Sequence, residues 1–252
     1  MEPQEQKTTS LPENAYRELK EGESYSPILS PEKKYKEVTA WSVTVGLLMT
    51  VLFSAAAAYL GLKVGQVFEA AIPIAILAVG LSSAARKKDS LSQNVIIQSI
   101  GACSGAVVAG GIFTLPAIYI LDLDVNFTQM ALSSLLGAVL GILFLIPFRK
   151  YFVKEMHGKY PFPEATATTQ VLVSGESGGK SAKTLVLSGL IGGLYDFAVA
   201  TFGTWAETIS TTVTHWGAVV ADKAKLVLKL NTGAAVLGLG YIVGLKYAFI
   251  IC

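Results

Sequence analysis

Charge is scarce in this chain of 252 residues: only 15% are Asp, Glu, Lys or Arg, where a soluble domain usually carries about 25%. The net charge of +2 and the placement of the basic residues in short clusters beside apolar runs leave no footprint for a nucleic-acid partner. Cysteine is nearly missing. Cys103 and Cys252 are the two present, too few for a disulfide framework, and Cys103 lies in an apolar run that predicts a buried thiol. Histidine is equally rare: His157 and His215 stand far apart, and neither a His-Glu-x-x-His pattern nor Cys/His metal spacing occurs. No metal, no cofactor and no convergent catalytic set is expected, so an enzyme is not the first reading. An apolar leader is missing too. The first 37 residues are polar and carry Pro3, Pro12, Pro27 and Pro31, a composition that predicts a disordered tail over residues 1–37 rather than a cleavable signal.

What is present is length without charge. Hydrophobic residues make up 52% of the chain and fall in long runs at about 38–62, 68–85, 94–121, 127–148, 185–205 and 232–252. A polar loop over 149–183 separates the fourth run from the fifth. About 20 apolar residues in helical conformation match the roughly 30 Å hydrocarbon layer of a bilayer. In lipid only helices or closed barrels satisfy every backbone group, and barrel strands would be about half as long, with alternating polarity. The expected fold is therefore all-α: a polytopic transmembrane helical bundle of about six spans, occupying 38–252.

Loop charges predict its orientation. Lys33, Lys34 and Lys36 precede the first run; Arg86, Lys87 and Lys88 follow the second; Arg149, Lys150, Lys154 and Lys159 follow the fourth. If each run crosses once, the three clusters share one side, which the positive-inside rule makes cytoplasmic together with the N-terminus. The expected location is the cell membrane, multi-pass. Lys223, Lys225 and Lys229 would then lie outside, or on an amphipathic stretch at the interface. Glycines four apart (Gly101 and Gly105, Gly137 and Gly141, Gly189 and Gly193, Gly240 and Gly244) predict close helix packing. The last run stops without a polar flank at Phe249-Ile-Ile-Cys252, and we expect the sequence to be the N-terminal part of a longer chain.

Several residues stand out chemically. In His157-Gly-Lys-Tyr-Pro-Phe-Pro-Glu164, Pro161 and Pro163 forbid a continuous helix, while a helix starting near Glu164 would aim free N–H groups at an anion. Glu164, Thr166 and Thr168 are candidate substrate contacts. The stretch Ser174-Gly-Glu-Ser-Gly-Gly-Lys-Ser181 ends like a phosphate-binding loop, but Ser174 stands where the first glycine is required, and it reads as a flexible linker. Ionisable groups within spans are functional candidates by default. Asp196, beside Tyr195 in the fifth run, is a candidate proton carrier if it is buried, or a packing group if it is hydrogen-bonded to a neighbouring helix. Gln98 is a candidate for lining a path. Glu69 and Glu207 fall at run ends, where interfacial solvation is the simpler reading. Lys246 can snorkel to the interface.

Ala56-Ala-Ala-Tyr-Leu-Gly-Leu-Lys-Val-Gly65, Asn94-Val-Ile-Ile-Gln-Ser-Ile100, Gly111-Ile-Phe-Thr-Leu-Pro-Ala117, Ile146-Pro-Phe-Arg-Lys-Tyr151 and His157-Gly-Lys-Tyr-Pro-Phe-Pro-Glu-Ala-Thr-Ala167 resemble, in this order, segments of the oligopeptide transporter (OPT) family. The similarity covers about 35–205 and is greatest to prokaryotic members and the related yellow-stripe-like carriers. It implies a secondary transporter, typically proton-coupled, for short oligopeptides or metal-chelate complexes, with protons and the lipid bilayer as its other partners. The alternative is a membrane-embedded scaffold or enzyme that does not transport.

Overall fold

The computed structural model of the chain describes residues 10–251 apart from 65, 66, 68, 69, 88, 89, 125, 161, 177–179, 204 and 207. Glu69, Lys88, Pro161, Glu207, Cys252 and the 177–179 part of the glycine-rich stretch thus lie outside the described residues. The chain divides into two compact units, Met1–Ala182 and Lys183–Cys252.

The first unit is built from five helices: α1 (Ala40–Val64), α2 (Ala71–Ala84), α3 (Leu91–Ile120), α4 (Phe127–Lys150) and α5 (Pro163–Glu176). A single π turn, Tyr151–Glu155, directly continues α4. Helices α1 to α4 follow from the largely uncharged runs and α5 from the polar stretch after them, and prolines sit where they can be borne. Pro73 and Pro163 occupy first turns, whose N–H groups have no helical partner to lose. Pro116 and Pro147 lie inside α3 and α4, as membrane helices tolerate.

Small residues let α1, α2, α3 and α5 close on one another. A Cβ built on Gly46 of α1 would stand 2.9 Å from Ile100 of α3, and one on Gly101 of α3 would stand 2.8 Å from Ile74 of α2. Gly175 of α5 admits Val79 of α2 in the same way. The Thr50 hydroxyl donates to the Ile100 carbonyl at 2.8 Å, a polar tie between α1 and α3. The core comprises Ile74, Ala75, Ala78 and Val79 of α2 with Leu91, Ile97, Leu172 and Val173. One buried polar cluster pins the α2–α3 connection. Ser82 donates to the Asn94 side-chain carbonyl at 2.6 Å, and the Asn94 amide donates to Ser90 at 3.3 Å.

Contacts also gather the basic clusters at one end of this unit. Lys87 lies over the Trp41 ring at the start of α1, Thr39 meets Gln93 at the start of α3, and the turn after α4 meets the N-terminal segment through His157 and Asn14. Helix α4 is apolar on every face and exposed throughout except at Met130. A surface of that size is incompatible with water and suited to lipid or a protein neighbour.

In the second unit α6 (Lys180–Phe202, almost wholly within it) leads to a small antiparallel hairpin, β1 (Thr208–Ser210) with β2 (Lys229–Asn231), in the register Thr208 to Asn231 and Ser210 to Lys229. The hairpin encloses α7 (His215–Ala224), which Thr214 caps by accepting from the Gly217 N–H at 3.2 Å. Helices α8 (Ala234–Val243) and α9 (Leu245–Ile251) follow.

The all-α membrane bundle expected from the runs is what the structure shows, with corrections to its parts. Among the described residues three helical stretches are long and apolar enough to cross a bilayer: Ala40–Tyr59, Leu91–Ile120 and Phe127–Glu155. The second run yields the 14-residue α2, about 21 Å at 1.5 Å per residue, which is short of the hydrocarbon layer. The fifth run lies in α6, which is 23 residues long and whose described apolar part is Leu187–Phe202. The last run is not one continuous helix, because Gly244, at φ 83° and ψ 157°, breaks it into α8 and α9. That conformation is open to glycine almost alone. Cys103 is exposed on α3, not buried: Gly101, Ser104 and Gly105 take the inward face, and position 103 turns outward. The glycine pairs also divide. Gly101 is packed, whereas Gly137 and Gly141 meet nothing within 4 Å.

The segment for which composition predicts disorder, residues 1–37, is described from residue 10 onward. Leu11, Ile28 and Leu29 pack on the α2–α5 core, where these apolar side chains of a largely polar segment cover an apolar edge.

Candidate functional site

The proline-rich stretch becomes the entry to α5. The first helical hydrogen bond runs from the Thr166 N–H to the Phe162 carbonyl at 2.9 Å, so Pro163 opens the helix. Glu164 comes next and is half-buried. Its carboxylate stands at the helix end where unpaired N–H groups favour negative charge. Along α5, Ala167, Thr168, Leu172 and Val173 form the buried face that packs on α2 and α3. Thr168 is 5% exposed, and its hydroxyl donates to the Glu164 carbonyl at 2.9 Å, so it is used within its own helix. Thr169 does the same on the exposed side, to Ala165 at 2.8 Å. Thr166 is half-buried, as is Gln98 on α3.

Tyr195 and Asp196 belong to the second unit, where they serve a common element. The Asp196 carboxylate accepts from the Ala234 N–H at 2.8 Å, at the first residue of α8. The Tyr195 hydroxyl donates to the Thr232 carbonyl at 3.1 Å, and the ring lies 5.4 Å from that of Trp205. Asn231 adds a side-chain oxygen to the Gly233 N–H at 2.8 Å. Asp196 is half-buried and aimed at a single neighbour, the start of α8. The six sequence candidates therefore divide: Gln98, Glu164, Thr166 and Thr168 lie in the first unit, Tyr195 and Asp196 in the second. Among the described residues no group of three or more His, Cys, Asp or Glu is placed to hold a metal ion.

Sequence reasoning overlooked the partners of the His157 turn. The His157 Nε2–H donates to the Asn14 carbonyl at 2.9 Å, and its ring lies 5.1 Å from that of Tyr25. Gly158 has φ 74°, and a Cβ there would run into the backbone of Arg17. Gln170 of α5 donates to the Tyr16 hydroxyl at 2.6 Å. The one local signal was the glycine after His157. Its partners lie some 140 positions earlier, and no periodicity links them.

The sequence pattern of the OPT oligopeptide transporter protein family matches residues 37–252. The chain belongs to this family. As an OPT family member it is 30% identical over 191 residues to a Haemophilus influenzae protein named "Putative oligopeptide transporter", an alignment covering 74% of this chain and 29% of the relative. The chain thus spans less than a third of that relative's length. No solved structure matches it. The family is one of transporters, which agrees with the resemblance in the segments around Gly61, Gln98 and Glu164.

Proposed function

We propose that this chain is part of a secondary active transporter, proton-coupled, that moves short oligopeptides or metal-chelate complexes across the cell membrane with its N-terminus in the cytoplasm. The observation that carries the reading is α5. A short helix entered through Pro163, with a half-buried carboxylate at its first turn, packs on the short apolar α2 and on α3, which is long enough to span. Transporters use such interrupted segments because helix ends and unwound backbone supply polar groups where continuous helices cannot. Glu164 is the group suited to a substrate's cationic end or to a proton, and the half-buried Thr166 and Gln98 are the polar side chains proposed to meet a peptide backbone. Membership of the OPT family and the name of the Haemophilus influenzae relative support a peptide substrate. The basic clusters gathered at one end support the cytoplasmic placement under the positive-inside rule. Asp196 is the proposed second proton site, although its bond to Ala234 equally suits a structural cap.

The test is uptake by the complete protein in proteoliposomes, using a pool of di- to tetrapeptides and, separately, ferric chelates, with and without an inward proton gradient. Gradient-dependent uptake of one class that Glu164→Gln abolishes supports both the reading and the residue. Peptide uptake indifferent to the gradient would remove proton coupling. Uptake of neither class by folded protein would sink the assignment.

A further inference from the structure

The tail and the His157 turn are shaped for each other. Leu11 at one end of the tail and Ile28 and Leu29 at the other pack on the same cluster of Val79, Leu91, Leu172 and Val173. The intervening chain therefore loops out and back across α5. Two features close the loop. Gly22, at φ 81°, lets it turn, and Arg17 grips Glu23 with two hydrogen bonds of 2.8 Å. The Lys20 N–H adds a third bond to Glu23 at 2.9 Å. From this loop Asn14, Arg17 and Tyr25 reach the His157–Gly158 turn, and Tyr16 reaches Gln170. The tail so touches both the entry to α5 and its far half. A half-buried ion pair and a few side-chain hydrogen bonds are weaker holds than a packed apolar face, and a segment held this way opens locally more readily than a packed helix.

We infer that residues 10–39 form a releasable strap that clamps α5 and its entry turn, and that the strap must loosen for α5 to move in the transport cycle. The inference rests on α5 being part of the translocation site. Its physical content is separate: α5 has apolar packing on α2 along one face, and the strap supplies the restraint along the edge that α2 and α3 leave open. Freeing the strap should mobilise α5 without disturbing α1 and α3 beyond their first two turns, where the strap itself attaches.

The experiment is hydrogen exchange on the complete protein in lipid nanodiscs, with uptake measured in parallel. Glu23→Ala and Arg17→Ala each remove the grip. Amides of residues 11–29 and of 166–174 should exchange faster by about tenfold, with residues 45–58 of α1 and 101–115 of α3, which lie beyond the turns where the strap attaches, unchanged as the control for folding. Tripeptide uptake should rise by about twofold or more. In a background without other cysteines, joining Tyr16→Cys to Gln170→Cys with a short cleavable bis-maleimide should slow α5 exchange and uptake, and cleaving the linker should restore both. A freed tail with unchanged α5 exchange would overturn the clamp. Unchanged tail exchange in both variants would overturn the grip. Faster α5 exchange with unchanged uptake would overturn the regulatory role. Faster α5 exchange with no uptake by any form, wild type included, would instead overturn the transport reading and leave the clamp standing.

Discussion

Glu23 shows what a single side chain does in this structure. Its hydrogen bonds from Arg17, and then from the Lys20 N–H, hold its carboxyl down to about 2, against an ordinary value of 4.5. The same pair raises Arg17. A lowered carboxyl pKa means that the docked tail favours the ionised form, so this contribution is complete above about 4.5 and is lost as the pH falls toward 2. Hydrogen exchange in residues 11–29, corrected for intrinsic rate, should thus stay level from pH 7 to 5 and climb below. Glycines offer a second residue-scale contrast. Gly101→Val drives a branched side chain into Ile74 and should cost about 1–3 kcal/mol by overpacking, whereas Gly137→Val meets nothing in this unit. Thermal unfolding in detergent should separate the two. Both glycines sit in the same four-residue spacing, so spacing alone had no means of telling them apart.

Among the elements, α8 depends on residues of the helix before the hairpin. Asp196→Ala leaves the Ala234 N–H without its acceptor and should loosen the first turn of α8 by about 0.5–2 kcal/mol, the range of a lost helix cap. Asp196→Asn keeps an oxygen in place and should cost less, measured as exchange of the α8 amides. If Asp196→Asn removes gradient coupling while α8 stays protected, the carboxylate carries a proton as well as a cap. The α2–α3 connection makes a similar case. Ser82→Ala strands the side-chain oxygen of Asn94, which is 1% exposed, and should destabilise the first unit by about 1–3 kcal/mol. Helix α2 itself was legible as an apolar run, but its length was not. Hydropathy marks where charge is missing, and the turn that ends a helix is set by what the next segment packs against.

On the scale of the whole molecule, the orientation can be read directly. Single cysteines at Lys34, Lys87 and Lys154 should react with an impermeant maleimide from one side of the membrane, and a cysteine at Asp122 from the other. Labelling of Lys34→Cys and Asp122→Cys from the same side would rule out the crossing pattern on which the cytoplasmic N-terminus rests. The sequence by itself determined that the chain is helical and made for lipid, since uncharged runs such as 94–121 and 127–148 leave the backbone no other way to satisfy its polar groups. It also determined the family, through short ordered motifs around Gly61, Gln98 and Glu164, and the start of a helix near Pro163, because proline at that place fixes what precedes it. Only the tertiary structure decided that Cys103 turns outward, that Gly244 breaks the last run, that Asp196 addresses the start of α8, and that the polar tail lies across α5. Each of these depends on which surfaces meet. A pattern along the chain records the period of one element, whereas partners such as Asn14 and His157, 143 positions apart, are joined by packing that no local pattern contains.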